Sequence, residues 1–182
     1  MRYLVVALTT MMATNASAQQ GPQHQHVLKN DADRIRNALS AAPRSVTGDA
    51  TIMTMDGDKM RVIRQGKGEF TCMPDDPTSP GNDSMCLDRN AMEWFHALVE
   101  HKEPPKGKVG LVYMLQGGSD ASNDDPWATK PASGKWIETG PHIMVTGATE
   151  MLGAYPKTAD DPSKPYIMWP TTPYAHIMMP VR

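Results

Sequence analysis

Phenylalanine is almost missing from this chain, with 2 residues in 182, and aromatic residues of all kinds make up only 6%. Rings alone therefore cannot fill a core. The 15 methionines must supply much of the filling, since thioether side chains are flexible and suit irregular packing. Charge of either sign is not in excess: 18 Lys and Arg stand against 20 Asp and Glu, a net −2. That balance gives no broad attraction to nucleic acid or to an anionic membrane. Long apolar runs are lacking too. The stretch over residues 4–13 falls well short of the roughly 20 residues a bilayer-crossing helix needs, so no membrane insertion is expected. Glycine-rich phosphate loops, paired-histidine zinc motifs, haem-attachment motifs and basic aromatic patches are also absent, which leaves nucleotide, haem and nucleic-acid functions without support.

What is present starts with an address. Arg2, the apolar stretch and Ala16-Ser17-Ala18 have the charge, length and small-residue cleavage pattern of a signal peptide over residues 1–18. The expected compartment is periplasmic or secreted. Residues 19–30, carrying His24 and His26, then form a flexible polar arm, and residues 31–182 a single domain. Cys72 and Cys86 are the only cysteines, and in an oxidising compartment such a pair is expected to form a disulfide. The segment between them is almost all turn formers, which a staple would order.

Hydrophobic periodicity and caps predict a helix over residues 31–41, a hairpin over 50–55 and 59–64 turned at Asp56-Gly57-Asp58, and a strand over 69–73. A second helix is predicted over 89–101, capped by Asp88, with Met92, Phe95, His96 and Val99 on its inner face. Strands follow over 109–115, 142–146, 166–169 and 175–181. Without regular β-α-β alternation, the expected fold is α+β, a mainly antiparallel sheet of six or seven strands with two helices packed on it. Residues 116–140 show no element. A loop this long is usually functional or disordered, and Trp127 and Trp136 within it favour a loop docked on the domain beside a pocket.

The blocks Thr71-Cys72-Met73-Pro74-Asp75, Met85-Cys86-Leu87-Asp88, Tyr113-Met114-Leu115-Gln116-Gly117-Gly118-Ser119-Asp120-Ala121-Ser122-Asn123 and Pro173-Tyr174-Ala175-His176 resemble those of uncharacterised secreted bacterial proteins. That resemblance implies no activity, cofactor or site residue.

Three constellations carry chemistry. His142-Ile143-Met144 and His176-Ile177-Met178 repeat a His-x-Met pattern in predicted strands, where residues two apart share a face. If the strands are neighbours, two imidazoles and two thioethers could converge in a donor set suited to copper, Cu(I) above all. Buried methionine-rich strands are the alternative. Asp120-x-Ser122-x-Asp124, with Asp125 beside it, offers alternate oxygen ligands as calcium loops do, but lacks the sixth-position glycine and the distal glutamate, and a solvated, self-bonded loop is the better reading. Ser119 after Gly117-Gly118, or Asp120, could meet His142, His176 or His96 in a hydrolase, although the sequence is not a nucleophile elbow. The leading expectation is a noncatalytic binding or interaction domain. Its ligand surface would be formed by Trp127, Trp136, Trp169 and Tyr174 with Asp120 and Asn123, because ligand sites commonly combine aromatic walls with a few polar groups.

Overall fold

In the computed structural model the described residues are 27–57 and 59–181. The expected signal peptide, and the residues of the expected arm up to and including His26, lie outside them. The architecture is α+β. Among the described residues, eight strands form one sheet: β1 (Thr51–Asp56), β2 (Lys59–Arg64), β3 (Thr71–Met73), β4 (Met85–Leu87), β5 (Gly110–Met114), β8 (His142–Thr146), β9 (Tyr166–Met168) and β10 (His176–Pro180). Their order is β2-β1-β3-β4-β5-β8-β10-β9. Every pairing is antiparallel except β1 with β3, which run parallel. The sheet is thus wider than six or seven strands and mixed. Two further strands, β6 (Gly118–Asp120) and β7 (Ile137–Thr139), pair separately, so the stretch expected to be featureless is framed by a small second sheet.

Helix α1 (Asp31–Leu39) starts where Asn30 accepts the Asp33 N–H at 2.9 Å, and Asp31 and Asp33 suit its positive end. A short helix, α2 (Arg44–Thr47), follows Pro43. Helix α3 (Arg89–Val99) is capped by Asp88, which accepts from Ala91 N–H at 2.8 Å with one oxygen and from Leu111 N–H at 3.0 Å with the other. One carboxylate therefore fixes the helix start to strand β5. Gly110 permits the close approach, since a Cβ there would lie 2.3 Å from the Ala91 nitrogen. The face α3 buries is Ala91, Trp94 and Ala97. It is turned one residue from the predicted Met92, Phe95, His96, Val99 face, and His96 is exposed.

The two sides of the sheet have different fillings. One side packs Ala38, Ala41, Ala50, Ile52 and the Cys72–Cys86 disulfide beneath α1. Farther along the same side, a 3₁₀ helix (Thr149–Ala154) covers Ile167 and Ile177. The other side, beneath α3, is a methionine core: Met73, Met114, Met144, Met168 and Met178 are buried with Leu87, Val112 and Tyr166. The Cys72–Cys86 bond links residues directly opposite one another on β3 and β4, as expected from the cysteine pair. No helix of the described residues is long and apolar enough to cross a membrane.

Candidate functional site

Register decides what the methionine-rich face presents. On adjacent strands β5, β8 and β10, Met114 pairs with His142 and His142 with Pro180. One step along, Val112 pairs with Met144 and Met144 with Met178. One step further, Gly110 pairs with Thr146 and Thr146 with His176. Side chains two apart share a face, so His142, Met144, His176 and Met178 all lie on the α3 side. The two His-x-Met strands are neighbours, as that reading required. They are antiparallel, however, which puts the two histidines at opposite ends of the pair. The four-residue offset corresponds to roughly 13 Å between their strand positions, so neither histidine is the other's cross-strand neighbour. The residue beside His142 is instead Met114, which no local sequence pattern connects to it.

Both histidines line a cavity of about 120 Å³, walled also by Met85, Met114, Met144 and Met178, the rings of Trp94, Phe95 and Trp169, and the polar residues Asp83, Ser119 and Asp120. Strand β6 lies across it. A Cβ on Gly118 would sit 3.0 Å from Met114 Cε, 3.1 Å from Asp83 Oδ1 and 3.4 Å from His142 Cε1, so glycine there lets the three groups close on one point.

Each histidine is held by its backbone-facing nitrogen. His142 Nδ1 donates to the Gly140 carbonyl at 2.7 Å and His176 Nδ1 to the Tyr174 carbonyl at 3.0 Å. Carbonyls only accept, so the proton is on Nδ1 and each Nε2 carries a lone pair. Burial lowers the pKa of His142. It pushes His176 down to about 4, with the nearby His142 adding to the effect. Both rings are therefore neutral near pH 7. His142 is 1% exposed and its Nε2 has no hydrogen-bond partner among the described residues; the buried Trp94 Nε1 has none among them either. An unmet polar atom in an apolar wall costs about 1–3 kcal/mol, which makes these two atoms the cavity's distinguishing feature.

The carboxyls are displaced the opposite way. Burial raises Asp120 to about 7, with Asp83 adding repulsion. Asp83 rises to about 6, again through burial, although Ser79 Oγ and the Ser119 N–H at 2.6 Å hold its charged form.

Beside the cavity lies an open groove of about 530 Å³, lined by Leu28, Met55, Met73 and Phe95 with Arg34, Asp75 and Asp76 at its polar parts. Asp83, Met85 and Phe95 wall both spaces.

Of the expected aromatic lining, Trp169 faces the cavity. Trp127 and Tyr174 pack behind it, edge to face at 5.5 Å. Trp136 makes no ring contact with any other aromatic among the described residues. Trp94 is the wall residue missed from the sequence, and its ring stacks on Trp169 with centroids 6.1 Å apart. Asn123 is a clamp: its side-chain Nδ2 donates to Lys157 O at 2.9 Å and its backbone carbonyl accepts from the Trp169 backbone N–H at 2.7 Å. Ser122 accepts the Asp124 and Asp125 N–H groups, so that segment bonds to itself, while Asp120 faces the cavity. The Ser119 hydroxyl accepts from Gly81 N–H at 2.8 Å, and among the described residues it makes no hydrogen bond to a histidine.

No family model, curated protein or solved structure matches this chain. The resemblance noted above rests on its sequence blocks alone.

Proposed function

We propose that this is an exported, noncatalytic binding domain whose ligand site is the groove together with the inner cavity. The observation that carries the reading is the shared wall of Asp83, Met85 and Phe95, which sets an open apolar groove beside a space with an unpaired acceptor on His142 and an unpaired donor on Trp94. Ligand sites combine a mostly apolar enclosure with a few polar groups that fix orientation, and these spaces have that composition. Export is favoured by residues 1–18 and by the disulfide, since such bonds persist in oxidising compartments. Catalysis has less behind it, because among the described residues the Ser119 hydroxyl hydrogen-bonds to the Gly81 amide and to no histidine.

A neutral solvatochromic dye, Nile red, tests the groove. It is expected to bind the folded protein saturably with a blue-shifted emission, and to bind about tenfold or more weakly when Leu28→Glu and Met55→Glu place two carboxylates in the apolar lining. Both residues are only partly buried, so the fold should survive. Absent saturable binding, or equal binding by the variant, would overturn the reading.

A further inference from the structure

We propose that the cavity binds Cu(I), held by Nε2 of His142 and the thioethers of Met114 and Met144. This rests on the binding-domain reading above and names the ligand class of the inner space.

The donor set is the first argument. Thioethers are soft neutral ligands that select Cu(I), and imidazole joins them readily. Met114 lies directly across from His142 on the neighbouring strand, and Met144 two residues along on the same face. Cross-strand partners have Cβ atoms roughly 4.5–5.5 Å apart. The two groups also close on the same point above Gly118, from which Met114 Cε would be 3.0 Å and His142 Cε1 3.4 Å.

The second argument is the state of His142. A metal-binding histidine typically gives its other ring N–H to a backbone carbonyl or carboxylate, which fixes tautomer and orientation. His142 gives Nδ1–H to Gly140 O at 2.7 Å and leaves Nε2 buried with no partner. A Cu(I) ion would satisfy that atom.

The third is charge. Among the described residues the wall contains no lysine or arginine, while Asp83 and Asp120 both face it. A cation entering would meet thioethers, indole faces, a neutral imidazole and two carboxyls. His176 sits two rows away, its ring edge-on to Trp94 at 5.3 Å and Trp169 at 4.9 Å, and belongs to the aromatic packing rather than to this ion. Among the described residues no three His, Cys, Asp or Glu side chains gather into a metal-holding group, so a hard-ion alternative has no comparable donor set here.

The experiment is an anaerobic competition titration of Cu(I) against a chromophoric chelator. Ascorbate serves as reductant, since a thiol would open the Cys72–Cys86 bond. One Cu(I) per chain is expected. Met114→Leu and Met144→Leu should each weaken it by about tenfold or more, and these near-isosteric changes leave the fold in place. His142→Gln should remove binding, His176→Gln should leave it nearly unchanged, and X-ray absorption of the copper complex should show nitrogen and sulfur neighbours, with less sulfur in Met114→Leu. No Cu(I) binding, binding indifferent to both leucine variants, or a copper shell without sulfur would overturn the assignment. Nile red reports on the groove and copper on the cavity, so the two readings fail separately.

Discussion

Asp120 shows how one residue ties stability to the site. Its folded pKa of about 7 lies above the ordinary aspartate value of 3.8, and burial is the main cause. The folded state therefore keeps the proton longer than the unfolded chain. The stability this group contributes is complete below about pH 3.8 and is lost as pH rises through about 7. His176 works in the opposite sense, since its pKa falls from 6.5 to about 4: its contribution is present above pH 6.5 and lost as pH falls through about 4. Asp120→Asn removes only the first effect. The variant should be more stable than the parent at pH 8 by about 1–2 kcal/mol, a few degrees in Tm, given that the residue is only half-buried. The gap should shrink steadily below pH 7 and vanish near pH 4. Thermal melts across that range provide the check, and a gap independent of pH would show that the carboxyl is not displaced. At this scale the sequence was partly legible. His142 and His176 stood out because a repeated His-x-Met is a local pattern, whereas Met114 joins His142 only through strand register, and nothing within its own segment points to that partner.

At the scale of elements, long periodic segments were readable, whereas of the five three-residue strands among the described residues β3 and β9 fall within predicted strands and β4, β6 and β7 do not. The β1–β2 hairpin and helices α1 and α3 were found because turn residues, caps and spacing agree over many positions. Strands β4, β6 and β7 have three residues each, too few to display an alternation of period two. The α3 face read from the sequence is one residue out of phase because two of the three residues in the inner row, Ala91 and Ala97, are alanines, which mark a buried face less clearly than the flanking Met92, Phe95 and Val99. The first part of the segment between β6 and β7 is docked, and its docking is specific, whereas residues 129–135 are mostly exposed. Trp127 Nε1 donates to Leu98 O at 3.2 Å and its ring stacks on His101 with centroids 4.5 Å apart, while Trp169 Nε1 donates to Ser122 O at 3.1 Å. Trp127→Ala removes the anchor on α3. Tryptic cleavage after the exposed Lys135, followed by mass spectrometry of timed digests, should then accelerate several-fold while far-ultraviolet circular dichroism stays the same. Cleavage at the parental rate would mean that the Asn123 and Ser122 contacts hold the segment unaided.

For the molecule as a whole, the fold class could be read from the succession of elements, but the strand order could not. Nothing local in residues 51–56 or 71–73 states that β1 and β3 run parallel, or that β10 inserts between β8 and β9. Those choices follow from which faces bury together, a property of the assembled sheet. The Cys72–Cys86 bond acts at this scale. It joins β3 to β4, closes the segment that carries Asp75, Asp76 and Asp83, and so fixes one wall of the groove and part of the cavity. Closing a loop of about 15 residues is worth roughly 3 kcal/mol in the chain-entropy model. Cys72→Ala with Cys86→Ala should accordingly lower the unfolding free energy by about 2–4 kcal/mol in urea. Because the same segment shapes the groove, Nile red affinity should fall in the variant under conditions where it is still folded. An unchanged denaturation midpoint would show that the bond contributes nothing to stability. A lowered midpoint with undiminished dye binding would instead place the groove's rigidity in the hydrogen bonds that Asn37 and Asp75 make within it, to Asp75 N–H and Asp83 N–H, each at 2.7 Å.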